Sequence, residues 1–375
     1  MKIIDRYVAL EMFWMFISGT AVFTILFIAG GQLLVVARMV SEDKTPLSLA
    51  LYYLLNTLPS ILVFTFPMAV LLAALLAFGR LSGESELVAM KAGGISFLRI
   101  SFPAVLLSLG IFFLALYINN NLAPNSTYIA QSILFDQIMK SDDLIRENIV
   151  IRDQVENDEE RLIFSRKLIP KENRMEDATI QYFSGRKMVR QVRAQDVYYN
   201  PDESKWFLKL AYIEDYSTGP VPDKFAQAQE VYLPLDKSPV QLAKNRERRP
   251  EEMDMAQLQN RLSQMIQEGF LSGEDEGRVR HYREYEVYYY QKIAIPFTCF
   301  VFGLFGIPLG IRPHRTSKAI GLGISIIFIL IYYVLMSVGM AFGRNGVMPT
   351  FWAAWIPNIF FLAAGIVLLL KTSRQ

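Results

Sequence analysis

Few residues in this chain have the type and spacing that chemistry needs. The carboxylate pairs Asp142/Asp143 and Glu159/Glu160 lie in a densely charged stretch and read as solvated turns rather than an acid–base couple. There is no GxxxxGKS/T loop to cradle nucleotide phosphates, no HExxH and no GxSxG. GRLSGESE has two glycines but lacks the lysine and the preceding strand of a phosphate loop. Two histidines, His281 and His314, leave little for a histidine-based catalytic or zinc centre. One cysteine, Cys299, excludes an intramolecular disulfide framework. Asn125-Ser126-Thr127 matches a glycosylation acceptor, a pattern common by chance. No acid, base and nucleophile converge, so an enzyme is the least supported class.

Two other sets of residues stand out. Within long apolar stretches the only ionisable side chains are Glu11, Lys292 and Arg38, all near the ends. Proton and ion transporters keep such groups near midplane, so this pattern suits a hydrophobic cargo or a structural role better. Lys292 reads first as a snorkelling lysine and second as a cation facing an anionic lipid head group. The second set is Gly79 to Ser96, GRLSGESELVAMKAGGIS. Ser82 or Ser85 is expected to cap a short helix, with Glu84 and Glu86 in its first turn. Leu87, Val88 and Met90 would form its apolar side, and Gly93-Gly94 would end it. Such a helix either rests on a membrane surface or docks into a groove on a cytoplasmic partner.

The elements that must position these residues are membrane helices. The chain has 375 residues, 52% hydrophobic, with 38 basic and 36 acidic side chains and hence no global basic field for nucleic acid. About 20 apolar residues cross a bilayer as a helix. The first such run is Met12 to Val36; Asp5 and Glu11 before it and ARMVSEDK after it favour an uncleaved span over a signal peptide. The second, Leu47 to Phe78, contains Pro59 and Pro67 and is too long for one upright helix, so an interfacial or tilted lead-in and then a span ending near Gly79 are expected. The others are Phe97 to Leu122, Tyr288 to Ile311, Ala319 to Phe342 and Phe351 to Leu370.

Six spans, three on each side of a polar insertion, have an orientation set by their short loops. With a cytoplasmic N-terminus, Lys2, Arg6, Arg80, Lys91, Arg99, Arg312, Arg315, Lys318, Lys371 and Arg374 lie inside, and only Arg38, Lys44 and Arg344 lie on the short outer loops. Both termini are therefore expected in the cytoplasm and the insertion outside. The boundaries read from this are 1–122, 123–287 and 288–375. In the insertion, ENIVIRDQV, RLIFSRKLIP, ATIQYFSGRKMVRQVRAQDVYYNP, KWFLKLAYIEDYS and AQEVYLPL read as strands of a β-sandwich, jelly roll or open barrel with imperfect alternation. After them MDMAQLQNRLSQMIQEGF places Met255, Leu258, Leu262, Met265 and Ile266 on one helical stripe, with Gly269 as its stop.

GRLSGESELVAMKAGGIS resembles the hallmark loop of the LptF/LptG (YjgP/YjgQ) permease family. IIDRYVALEMF, with Asp5, Arg6 and Tyr7, is similar to the family's opening. FPMAVLLAALLAFGRL, VRAQDVYYNPDESKWFLKLAYIEDY, EEMDMAQLQNRL and GLFGIPLGIRPHR are similar to later family segments, in the same order over essentially the whole chain. The resemblance implies a multi-pass bacterial inner-membrane permease with an inserted periplasmic β-jelly-roll domain. It implies pairing with a second paralogous permease, a cytoplasmic ABC ATPase dimer that uses ATP and Mg, and a periplasmic jelly-roll bridge protein. The cargo it implies is lipopolysaccharide, with no cofactor and no metal bound by this chain itself.

By that match Glu84, Glu86, Leu87, Met90 and Gly94 are ATPase-coupling candidates at a coupling helix over about 80–96. Family members often carry Lys or Arg late in the first span; here AGGQLLVVARM offers Gln32 and no cation before Arg38. Arg38, Lys44, Lys292 and Arg344 are the head-group candidates, with the partner subunit as the other source of charge. Acyl chains would occupy a space lined by the first and fifth spans, where GLGIS and SVGMAFG permit close helix contacts. Ile149, Ile151, Phe164, Tyr182 and Phe207 are candidates for a lipid path in the strand domain or, equally, for its core. The bridge protein is expected to dock on a free strand edge by strand addition. The rival readings are a permease for another amphiphile and a membrane-anchored scaffold whose β-domain binds a partner.

Overall fold

The computed structural model describes residues 3–42, 44–140, 146–155, 159–169, 172–184, 187–201, 203, 205–216, 224–233, 235, 248–271, 276–311 and 318–374. The chain divides into two compact units, residues 1–131 with 248–375, and residues 132–247. The composition changes near 123 and 287 do not coincide with this division. The helix after Leu122 and the helical return after Arg248 carry apolar faces, and both begin within the helical unit.

The helical unit runs α1 (Ile3–Phe27), a π-turn (Ile28–Gln32), α2 (Leu33–Ser41), α3 (Leu47–Gly83), α4 (Glu86–Ala92), α5 (Phe97–Tyr117), a second π-turn (Ile118–Leu122) and the start of α6 (Ala123–Lys140). After the strands follow a 3-10 turn (Pro250–Glu252), α7 (Met255–Gln267), α8 (Glu276–Gly310), α9 (Lys318–Arg344) and α10 (Thr350–Ser373). Six helical stretches among the described residues are long and apolar enough to cross a membrane: Ile3–Ser41, Leu47–Gly83, Phe97–Leu134, Glu276–Gly310, Gly323–Arg344 and Thr350–Ser373.

α3 corrects one expectation. Leu47 to Gly83 is one unbroken helix of 37 residues, with no separate lead-in. At about 1.5 Å per residue it is about 55 Å long, well beyond a hydrocarbon core of about 30 Å. Proline 67 removes a helical donor, and the Tyr333 hydroxyl donates to the Phe64 carbonyl in the preceding turn at 2.9 Å. α3 is also the centre of the bundle, with every residue from Thr65 to Leu75 buried. α8 lies directly against it. A Cβ at Gly306 would stand 2.8 Å from Ala74 Cβ, and one at Gly310 2.8 Å from Phe78 Cβ. Only the missing side chains allow that approach. The segments FPMAVLLAALLAFGRL and GLFGIPLGIRPHR thus owe part of their pattern to each other: residues of one form the wall against which the glycines of the other pack.

The inserted unit contains β1 (Arg146–Val155), β2 (Glu159–Ile169), β3 (Arg174–Ser184), β4 (Lys187–Asn200), β5 (Lys205–Asp215) and β6 (Lys224–Leu233). They form one antiparallel sheet in sequence order, β1-β2-β3-β4-β5-β6. The imperfect alternation has a structural cause. Ser165 pairs with Ala178 and Lys167 with Glu176, so Arg166 and Asp177 are skipped together. The next strands skip Gln195 and Leu210 at the same level. Asp177 and Leu210 take positive φ there, +48° and +55°. Each skip reverses the facing parity of its strand, as a β-bulge does. The same face therefore carries Ala178, Ala194 and Ala211 on one side of the line and Met175, Val197 and Leu208 on the other, all buried.

Candidate coupling site

α4 is built differently from the expected capped helix. Ser82 lies inside α3, and Ser85 precedes α4 in the left-handed region at φ 62° with no side-chain cap bond. Glu84 caps the end of α3 and does not reach the first turn of α4; Glu86 does. The hinge needs this because α3 must stop and α4 start within two residues, and a positive φ reverses the chain in that space. The other end is as expected. Gly94, at φ +82°, lets the Gly94 N–H reach the Lys91 carbonyl at 2.9 Å and the Ile95 N–H reach the Met90 carbonyl at 3.2 Å. Ser96 then caps α5 by accepting from the Arg99 N–H at 3.4 Å.

Leu87 is buried against the bundle and Met90 is half-buried, whereas Val88 is 55% exposed. The apolar side of α4 is therefore narrower than the sequence pattern indicated, with Leu87 as its inward anchor. Glu84, Val88, Ala89 and Ala92 are left on the exposed surface.

The polar partner of α4 comes from a residue read in the sequence only as part of the family opening, Tyr7, with Arg80 and Glu11 around it. The Tyr7 hydroxyl donates to Glu86 Oε2 at 2.8 Å, with Oε1 at 3.0 Å. Arg80 Nη2 donates to the same hydroxyl oxygen at 2.8 Å, and its Nε lies 2.9 Å from Glu11 Oε1. Beside them Arg99 Nη2 donates to Asp5 Oδ2 at 2.8 Å. Three carboxylates, two guanidiniums and one phenol thereby join the start of α1, the end of α3, α4 and the start of α5. The Arg80 and Glu11 side chains are 27% and 16% exposed, so water still screens the pair. Part of the signal was present: Tyr7 and Glu11 lie one helical turn apart on α1, but their partners Glu86 and Arg80 stand 79 and 69 positions later in the chain.

The head-group candidates separate into two kinds. Arg38 is exposed on α2 and Lys44 is exposed at φ 49°. Arg344 is held by Glu284 at 3.4 Å and by the Tyr288 hydroxyl at 3.1 Å, and it stands over the Tyr288 ring. Lys292 is only 6% exposed and its Nζ donates to the Asn119 carbonyl at 3.3 Å. It does not snorkel. Gln32 ends the first π-turn and accepts from the Tyr53 hydroxyl at 2.7 Å, a neutral pair near the end of the first span.

The strand candidates fall on both faces of the sheet. Tyr182 packs on the buried cluster around Ile163, Ile180 and Trp206. Phe164 and Phe207 lie on the opposite face. Phe164 is 39% exposed, and Phe207 stacks on Tyr198 with ring centroids 5.7 Å apart. Ile149 and Ile151 pair in register with Ser165 and Ile163, while their side chains lie outside the described residues. Sequence reasoning also missed a buried node in which Asn358 Oδ1 accepts from Thr298 at 2.9 Å and Tyr332 at 3.3 Å, while its Nδ2 donates to the Ala294 carbonyl at 2.7 Å.

Comparison with known proteins supplies the remaining observation. The chain is 22% identical over 315 residues to the lipopolysaccharide export system permease protein LptG of Haemophilus influenzae, covering 82% of this chain and 81% of that one. It is 23% identical over 353 residues to LptG of Escherichia coli K12, covering 87% and 86%. The family model described as lipopolysaccharide export system permease LptF/LptG matches residues 6–371, so the chain belongs to that family.

Proposed function

We propose that this chain is a permease subunit that extracts lipopolysaccharide from the bacterial inner membrane and passes it outward through its strand domain, driven by an ABC ATPase in the cytoplasm. The subunit is not itself catalytic; ATP and Mg are bound and used by the ATPase dimer. A second, paralogous permease faces it across the lipid path, and a periplasmic bridge protein receives the cargo. Both termini lie in the cytoplasm, which follows from the cations gathered on that side of the spans.

The observation that carries this reading is the arrangement around α4. Glu86 ties the short helix to Tyr7 at the start of the first span and, through that hydroxyl, to Arg80 at the end of the second. Asp5 and Arg99 tie the first span to the third, and Glu84, Val88 and Ala92 remain outward. A partner that moves α4 therefore moves three membrane helices together. Glu86, already bonded to Tyr7, acts inward as the link between helix and spans, while Glu84 makes the outward contact. Gly94 shapes the end of α4, and Met90 supports it from the half-buried side. For the cargo, Arg38 and Lys44 are the exposed cations at the outer end of the first span and meet lipid phosphate; a hydrogen bond between charged groups there contributes about 1.5–3 kcal/mol.

The test is recovery of the protein from native membrane in detergent, with mass spectrometry of its protein and lipid companions. An ATPase, a second permease and lipopolysaccharide are the expected companions. The same ATPase with another lipid keeps the mechanism and changes the cargo. A folded preparation that brings down neither ATPase nor permease overturns the reading.

A further inference from the structure

Pro296 in the fourth span and Pro124 just after the third each strand a carbonyl. In α8, Pro296 has no N–H to give the carbonyl four residues earlier, which is that of Lys292, and its ring crowds that oxygen outward. In the π-turn Ile118–Leu122 the bonds run five residues, as the Ala123 N–H to Ile118 carbonyl bond shows. The next bond in that register would come from residue 124 to the carbonyl of Asn119. Residue 124 is Pro124, which has no N–H.

Each stranded carbonyl is answered by the side chain of the residue that owns the other. Asn119 Nδ2 donates to the Lys292 carbonyl at 2.9 Å, and Lys292 Nζ donates to the Asn119 carbonyl at 3.3 Å. Both residues are buried, at 9% and 6% exposure. An ammonium in this setting is retained only with a partner, and a carbonyl without a helical donor needs one. The pair is thus a reciprocal bridge between backbones, tighter in consequence than a contact between side chain ends, because it fixes one helix axis against the other. The neighbouring Asn120 extends it: its Oδ1 accepts from the Met255 N–H at 3.0 Å, at the start of α7. Tyr288, one turn before Lys292, donates to Glu251 Oε1 at 3.0 Å.

We propose that Asn119 and Lys292 are positioning residues that clamp the third and fourth spans into one mechanical unit, so that a displacement entering at α4 and α5 is carried to α8 and to the segment 248–254 docked on it. This gives Lys292 a task in transmission in place of lipid binding. The part about transmission rests on the coupling role proposed for α4; the clamp itself does not.

The test uses the full complex with its ATPase, carrying Lys292→Met, Asn119→Leu, both together, or Lys292→Arg. Hydrogen–deuterium exchange reads the clamp. Either single substitution is expected to speed exchange around residues 117–123 and 290–297 alike. Faster exchange confined to the substituted span overturns the clamp. Parallel assays of ATP hydrolysis and lipid release read transmission. Hydrolysis is expected to persist while lipid released per ATP falls at least about fivefold, the lower end of ordinary coupling energies. The double variant should be no worse than the worse single one, and Lys292→Arg, which keeps a charged donor, should recover most of the loss. Unchanged release per ATP in folded, ATPase-bound variants overturns transmission. If wild-type protein binds no ATPase, the coupling reading of α4 and the transmission built on it both fail, while the exchange experiment still decides the clamp.

Discussion

The cluster around Tyr7 and the interior of the bundle hold helices together by opposite means. Around Tyr7 the contacts join charged side chains that are partly wet: Asp5 with Arg99, Glu11 with Arg80, Glu86 with Tyr7. In the interior they are close glycine packing against α3 and hydrogen bonds sealed from solvent, such as the Asn358 node and the Asn119–Lys292 bridge. Wet ion pairs exchange partners at low cost, since water compensates the lost bond. Buried polar groups do not, because an unmade bond there leaves a desolvated atom. The first design suits a surface that must engage and release a partner; the second suits a rod that carries the motion.

That contrast is sharpest at the extremes of expected effect. Gly310→Leu should push α8 off Phe78 and Ala74 and cost about 3 kcal/mol or more, seen as loss of folded protein by size exclusion in detergent. A normally folded Gly310→Leu protein would mean that the two helices are not closely packed. Glu84→Arg reverses charge on the exposed side of the hinge. It should leave the melting temperature unchanged while reducing recovered ATPase at least about tenfold, the scale of a like-charge contact at a rim. Normal recruitment by that variant would remove Glu84 from the contact.

Smaller effects probe the links. Asn358→Leu removes the acceptor shared by Thr298 and Tyr332 and the amide donor to the Ala294 carbonyl, while the two hydroxyls keep their bond to each other. It should cost about 1–2 kcal/mol, measured as a shift in thermal midpoint without any change in ATPase binding. Tyr7→Phe removes the hydroxyl shared by Arg80 and Glu86 and should cost about 1 kcal/mol, with faster amide exchange in α4. Glu86→Gln keeps an acceptor for Tyr7 and loses only the charge, so its effect should be about half that of Tyr7→Phe. Were Glu86→Gln the more damaging of the two, Glu86 would be acting outward rather than on Tyr7.

Much of the fold was legible in the chain. The helical stripe at Leu258, Leu262 and Met265 is buried as its spacing requires, although Ile266 at the edge of the stripe is exposed. Gly269, at φ +78°, ends that helix. The strand alternation was legible only in pieces, because aligned skips at Arg166, Asp177, Gln195 and Leu210 reverse parity in four strands together. No single strand reports such an irregularity as a shared feature. The site was legible as a motif but not as a network: Glu86 was visible, and its bond to a tyrosine 79 positions earlier was not.

By itself, then, the sequence determined the membrane spans, the insertion and the family, since apolar length, charge asymmetry and local motifs are properties of contiguous residues. Tertiary structure alone decided which carboxylate faces inward, where Lys292 points, and which stranded carbonyl meets which donor. These depend on distance between residues far apart in the chain, and a hydrogen bond forms only where packing of the whole bundle brings donor to acceptor.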